Sequence, residues 1–124
     1  MLLAAWRLPR DNGFRSEVDR GRTMHLIKIL LPLRDRRNEP FPAQYYESLA
    51  EKLTHSFGGV TSFLRSPAEG RWHDGKGTEH DEIVVIEVMT DTMDRDWWRE
   101  LRENLETQFD QDELLIRTHP VDRL

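Results

Sequence analysis

The stretch Asp81–Thr90, DEIVVIEVMT, decides the fold that the sequence predicts. Within it, the side chains at 83–86 and 88 are all β-branched and nearly continuous. A run of this kind is typical of a central strand that is apolar on both faces. We therefore expect the other segments of the chain to pair with this strand or to cover it.

Residue spacing on either side predicts three more strands and two helices. The strands are expected over His25–Leu33, Val60–Ser66 and Glu113–His119, and the helices over Pro42–Phe57 and from Asp91–Asp94 to Phe109. Apolar residues alternate in the first strand and recur every three to four positions in both helices. Pro67 and Pro120 are expected to end two of the strands, and residues 68–81 to form a long hairpin loop, or extended arms.

The resulting order, β-α-β-β-α-β, predicts an α+β domain of the ferredoxin-like type. We expect a four-stranded antiparallel sheet with both helices on one face and the two most apolar strands in the middle. A single domain is expected over residues 24–124. Residues 1–23 lack periodicity, so they are interpreted as a disordered leader or an over-long start, with docking through an arm as the alternative.

Composition narrows the classes of partner. The 124 residues carry a formal charge of −5, contain no cysteine and hold no apolar run long enough to span a membrane. We therefore expect a cytoplasmic protein without membrane or disulfide chemistry. Nucleic-acid binding is not expected, because the chain is acidic and the expected open sheet face offers no aromatic side chains in its central strands for base stacking.

Several short motifs resemble a known family. These are FGGVT at 57–61, GRW at 70–72, the strand at 83–89 and FDQ at 109–111. Together they resemble a family of small uncharacterised bacterial proteins over roughly residues 25 to 118. The resemblance implies a ferredoxin-like fold and no particular reaction.

Two imidazoles and several carboxylates fall close together in the expected hairpin loop. His73, Asp74, His80 and Asp81 are ligand types that divalent metals take, and His73 and His80 are also the candidates for general acid–base catalysis. No known ligand spacing is present, however. We expect a solvated loop without a metal or cofactor, with a metal site as the alternative.

Three arginines, Arg34, Arg36 and Arg37, precede the first predicted helix. Guanidinium groups near a helix N-terminus attract anions, so these residues are candidates for ligand or anion binding. Asp35 and Glu39 lie among them and dilute the charge, which favours a solvated loop instead.

Aromatic pairs occur on both predicted helices, Tyr45–Tyr46 and Trp97–Trp98. Aromatic side chains at helical spacing are usually part of a core. The alternative is that the surplus rings line a pocket or an interface.

The sheet face without helices is expected to be apolar. The side chains that we expect there are Leu26, Leu30, Ile83, Val85 and Leu115. Such a contiguous surface predicts a homodimer joined through this face. For function, the sequence favours a non-catalytic interaction or ligand-binding module. The alternative is a small-molecule enzyme of the dimeric α+β-barrel type, with an unknown ligand in either case.

Overall fold

The computed structural model describes the backbone of residues 2–4, 23–73 and 78–124, and the side chains of residues 24–60 and 82–124. Its elements in chain order are β1 (Leu2–Ala4), β2 (Thr23–Pro32), α1 (Ala43–Phe57), β3 (Thr61–His73), β4 (Thr78–Thr90), α2 (Arg95–Gln108) and β5 (Leu115–Asp122). The α+β class with two helices and an antiparallel sheet is thus confirmed. β2 is the strand that the sequence analysis placed first.

The sheet is organised around β4, as its apolar run predicts. The strand order is β1-β3-β4-β2-β5, and all described pairings are antiparallel. Ile29 of β2 stands opposite both Ile86 of β4 and Ile116 of β5. In the described backbone the sheet has five strands rather than the expected four, because Leu2–Ala4 pairs with β3 at one edge.

Along β2 and β4, successive side chains point alternately into the core and towards the opposite face of the sheet. Ile27, Ile29, Val84, Ile86 and Val88 are at most 3% exposed and belong to one apolar cluster. The same cluster contains side chains from both helices, listed here: Leu49, Leu53, Trp98, Leu101 and Leu105. Both helices therefore pack on the same sheet face, since strand residues two apart point the same way.

Phe109, which has no exposed surface, joins the end of α2 to the start of α1. Its ring centroid lies 4.9 Å from that of Phe41 and 5.5 Å from those of Tyr45 and Tyr46. The contacts with Phe41 and Tyr45 are edge-to-face, the geometry that the ring quadrupoles favour.

A second aromatic cluster joins the end of α1 to the start of α2. Trp97 meets both Phe57 and Trp98 edge-to-face, at centroid distances of 5.2 and 4.8 Å. Phe57 also stacks on Trp98 at 5.3 Å. The two helices are therefore antiparallel and are linked by aromatic contacts at both ends.

The helix ends follow the local sequence closely. Gly58 ends α1 with φ of 82°, a left-handed conformation that costs glycine little. Asp94 begins α2 as its N-cap, and its Oδ1 accepts a hydrogen bond from the Trp97 N–H at 3.1 Å. Pro42 is the N-cap of α1 rather than its first helical residue.

The expected ends of two strands were wrong, and both errors involve proline. β3 continues past Pro67, which lies in a register irregularity between Arg65 and Gly70 where no ladder bond is needed. β5 continues past Pro120, and in the described backbone β5 is an outer strand that pairs with β2 alone. An edge strand can lack an N–H on its unpaired side without losing a ladder bond.

The expected loop over 68–81 is mostly strand. Its alternative interpretation, extended arms, describes the backbone better, because Gly70 pairs with Asp81 and Trp72 with Glu79. The tip, residues 74–77, lies outside the described residues. Residues 5–22 lie outside them as well, so the leader remains a prediction there, although Leu2–Ala4 forms β1.

No helix in the described part of the chain is long and apolar enough to cross a membrane.

Candidate functional site

The predicted metal and acid–base residues lie on the hairpin of β3 and β4. Backbone register places His73 opposite Thr78, and His80 opposite Arg71. The side chains of these histidines and of Asp81 lie outside the described part, as does Asp74 altogether. Among the residues whose side chains are described, no group of three potential metal ligands occurs. The metal and acid–base hypotheses therefore stay predictions.

Two of the three predicted anion-binding arginines form ion pairs with carboxylates on different segments of the chain. The Nε of Arg34 lies 3.7 Å from Glu82 Oε2. Arg36 lies 3.7 Å from Asp110 Oδ2 and 3.6 Å from Asp112 Oδ1. Two of the three candidates thus have carboxylate partners on other segments, and only Arg37 has no such partner among the described residues.

The predicted interface residues all lie on the sheet face away from the helices, but their exposure differs. Leu30 pairs with Val85 on one side and with Leu115 on the other. Leu115 is 51% exposed, whereas Val85 is only 5% exposed in the single chain. Leu26 and Ile83 are half-buried, as is Leu30. The described part of this face is therefore apolar, and Leu115 on β5 is the most exposed of the five predicted interface residues.

A groove that the sequence analysis did not predict lies between α2 and β5. It has a volume of about 230 Å³ and is lined by Ile27, Met93, Arg95, Trp98, Arg99, Arg102, Ile116, Arg117 and Thr118. We call it the arginine groove, because it contains four arginines and no aspartate or glutamate. In a chain of net charge −5, this is a local reversal of charge.

Three of its arginines come from a single stripe of α2. Arg95, Arg99 and Arg102 follow the i, i+4, i+7 spacing that places side chains on one side of a helix. Arg117 stands opposite Lys28 in the register, which assigns it to the other sheet face. It reaches the groove from the edge strand β5, so the core of the groove's positive charge is the three α2 arginines.

The ion pairs around the groove leave much of its positive charge available. Arg99 Nη1 lies 3.3 Å from Asp96 Oδ1, but both side chains are more than 60% exposed, so the pair is weak. Arg102 Nε lies 3.8 Å from Glu106 Oε2, too far for a hydrogen bond, and Nε is buried without a hydrogen-bond partner in the described structure. Glu106 instead accepts the Leu114 N–H at 2.9 Å.

Arg95 has no ion pair among the described residues. It lies one position after Asp94, whose carboxylate already caps the start of α2. The attraction of the arginine groove for negative charge therefore comes from its guanidinium groups.

The residues of the arginine groove suit binding better than catalysis. Arginine stays protonated at all ordinary pH values, so it cannot serve as a general acid or base. Thr118 is the only lining residue with a hydroxyl, and neither histidine nor carboxylate lines the groove. Met93, Trp98 and Ile116 form an apolar wall beside the arginines. The arrangement therefore fits a small anion that has an apolar part.

Part of the signal for this groove is present in the sequence. The stripe of Arg95, Arg99 and Arg102 follows from the spacing of α2. Arginine on an amphipathic helix usually marks the solvated side, however, so the stripe alone does not predict a groove. The contribution of β5 had no local signal, since residues 116–118 reach α2 only through the packing of the sheet.

Comparisons with protein-family models, curated proteins and solved structures found no match for this chain.

Proposed function

We propose that the protein is a non-catalytic binding module that holds a small organic anion in the arginine groove. The observation that carries this proposal is a stripe of three arginines on α2, beside an apolar wall, in a groove whose lining contains no carboxylate. Each guanidinium presents donors in a planar fork that matches a carboxylate or phosphate group. The apolar wall, which includes Trp98, would contact the uncharged part of the ligand.

The volume of the groove limits the size of the ligand. At about 230 Å³ it is smaller than the roughly 300–1,000 Å³ of pockets that enclose drug-sized molecules. The ligand is therefore of the size of an aromatic or branched carboxylate, or a monophosphate ester. An anion without an apolar part would use the arginines alone and bind more weakly.

Calorimetric titration with benzoate, phenyl phosphate and inorganic phosphate tests this proposal. We expect phenyl phosphate to bind more tightly than inorganic phosphate, because only the former contacts the apolar wall. The double variant Arg95→Gln with Arg102→Gln should weaken binding at least about tenfold, the scale of one lost charge-assisted hydrogen bond. Raising the salt concentration should weaken it further.

Arg37→Gln is the matched control. Arg37 is exposed, has no side-chain partner among the described residues and does not line the arginine groove. Its substitution removes one positive charge, as each of the two groove substitutions does, and should leave the affinity unchanged. Equal losses in the control and in the double variant would mean that the anions respond only to net charge, and the proposal would be wrong.

We further propose that the domain has the ferredoxin-like arrangement. The order β3-β4-β2-β5 supports this, because the first and third strands of the β-α-β-β-α-β unit then lie in the middle. The packing of both helices on one face supports it as well. This arrangement leaves the opposite sheet face for a partner.

The partner proposed for that face is a second copy of the chain. Lys28 stands opposite both Glu87 and Arg117 in the register, so one row across the face carries both signs of charge. A two-fold axis along β2 would bring Arg117 of one copy over Glu87 of the other, while Leu115 would lose its exposure to water. The enzyme alternative depends on His73 and His80, whose side chains lie outside the described part, and it stays a prediction.

A further inference from the structure

We infer a second binding site, for an organic cation, in another cleft that Trp98 lines. A cleft of about 200 Å³ lies between the end of α1 and the start of α2. It is lined by Ser56, Phe57, Thr92, Asp94, Trp97 and Trp98. We call it the aromatic cleft, and it shares Trp98 with the arginine groove but none of the charged residues.

The aromatic rings of this cleft are arranged as a corner. Trp97 lies at 84° to Phe57 and at 77° to Trp98, and all three centroids are within 5.3 Å of one another. Perpendicular rings present a face and an edge to the same space, and the faces carry the negative part of the quadrupole. A cation in the cleft would lie against this cluster, because all three rings belong to the lining.

The structure already places a cation on this cluster. Lys52 Nζ lies 5.8 Å from the centroid of Trp97, within the range of a cation–π contact. Lys52 is itself exposed, so this ammonium group is also hydrated. A ligand cation that is poorly hydrated, such as a quaternary ammonium, would gain more from the same ring, because it has less hydration to lose.

The charges around the aromatic cleft favour a cation over an anion. Asp94 contributes a carboxylate to the lining, and no arginine, lysine or histidine lines it. Ser56 and Phe57 belong to the last turn of α1, where the dipole is negative. The positive start of α2 opposes this, but the Asp94 carboxylate caps it. The aromatic cleft is therefore opposite in polarity to the arginine groove.

The volume of the aromatic cleft limits the size of the ligand that it can hold. About 200 Å³ is below the size of pockets for drug-sized ligands, so the cleft would take a headgroup rather than a whole large molecule. The ligand class is a trimethylammonium or similarly alkylated amine. Whether the headgroup belongs to a free metabolite or to a modified lysine is decided by comparing choline with a trimethyllysine peptide.

Nuclear magnetic resonance titration tests this inference through the indole N–H signal of Trp97. Choline should shift this signal in a saturable manner, and 3,3-dimethylbutanol, its uncharged analogue, should bind about fivefold more weakly or worse. Sodium chloride at equal ionic strength is the blank. Equal binding of choline and the uncharged analogue would overturn the inference, because the cleft would then be merely apolar.

Two variants sharpen the test. Trp97→Leu keeps an apolar side chain but removes the ring, so it should abolish the preference for choline, followed here through Trp98. Asp94→Asn keeps an N-cap side chain at the start of α2 but removes the carboxylate from the cleft, so it should weaken choline binding and leave the binding of the uncharged analogue unchanged. This variant preserves all three rings, so it keeps the inference testable if Trp97→Leu does not fold. Unchanged choline binding in Asp94→Asn would contradict the inference.

Discussion

The hydroxyl of Tyr46 shows how one polar atom fixes a helix to the sheet. It donates a hydrogen bond of 2.5 Å to the Pro32 carbonyl at the end of β2. Its ring lies against Phe109 in the core. Burial raises the pKa of Tyr46 to about 12, because the phenolate would lose its hydration there.

Tyr46→Phe should lower the free energy of unfolding at neutral pH by about 0.5–1.5 kcal/mol, the net value of a hydrogen bond. Urea denaturation measures this loss. Tyr45→Phe is the matched control, since Tyr45 keeps its ring contacts and has no described hydrogen bond through its hydroxyl. A similar loss in both variants would contradict the role assigned to the Tyr46 hydroxyl.

The pKa of Tyr46 also predicts how stability depends on pH. In the unfolded chain the phenol ionises near pH 10, whereas in the folded chain it ionises near 12. The contribution of Tyr46 is therefore complete below pH 10 and is lost as the pH rises from 10 to about 12. Wild-type stability should fall more steeply across this window than that of Tyr46→Phe, as measured by urea denaturation at each pH.

At the scale of an element, the end of α2 combines good hydrogen bonds with an unfavourable residue. The Gln111 N–H donates to Glu106 O at 2.9 Å and the Asp110 N–H donates to Thr107 O at 3.3 Å, which is a Schellman motif. Asp110 adopts φ of 51°, a left-handed conformation in which glycine is usually found. Arg36 lies beside Asp110 and Asp112 and offsets their charge at this helix end.

Asp110→Gly should therefore raise the free energy of unfolding by about 0.5–1 kcal/mol, because glycine relieves the left-handed backbone. The thermal midpoint and urea denaturation measure the gain. Asp112→Gly is the control, since Asp112 also pairs with Arg36 but has no positive φ. A gain in Asp112→Gly as large as that in Asp110→Gly would attribute the effect to charge rather than to backbone conformation.

At the scale of the whole molecule, the sheet face without helices determines whether the chain is a monomer or a dimer. Val85 is already buried in the single chain, so an aspartate there would destabilise the fold as well as any dimer. Leu115 is 51% exposed, so it tolerates a carboxylate in the single chain but not at a dimer contact. Leu115 is therefore the informative position.

Light scattering on a sizing column should give twice the chain mass of 14.7 kDa at micromolar concentration. Leu115→Asp should reduce it to the mass of one chain without lowering the free energy of unfolding of the isolated chain. Leu124→Asp, at a leucine that is fully exposed, should leave the dimer intact. A wild-type mass near 14.7 kDa would exclude the dimer.

Local sequence determined the elements and the core of this protein. The β-branched run of β4, the alternation in β2 and the stripe through Trp98, Leu101 and Leu105 each follow from a period that the backbone imposes. Gly58 and Asp94 mark helix ends because the required conformation and hydrogen bond are made within a few residues. These features involve no distant partner, which is why they could be predicted.

Only the tertiary structure decided which surfaces meet. Whether a proline ends a strand depends on the neighbouring strand, and Pro120 is tolerated because β5 lies at an edge. Arg36 is paired by Asp110, 74 positions away, so its role as an anion ligand could not be judged locally. The arginine groove requires β5 to lie beside α2, and spacing along one segment contains no information about that contact.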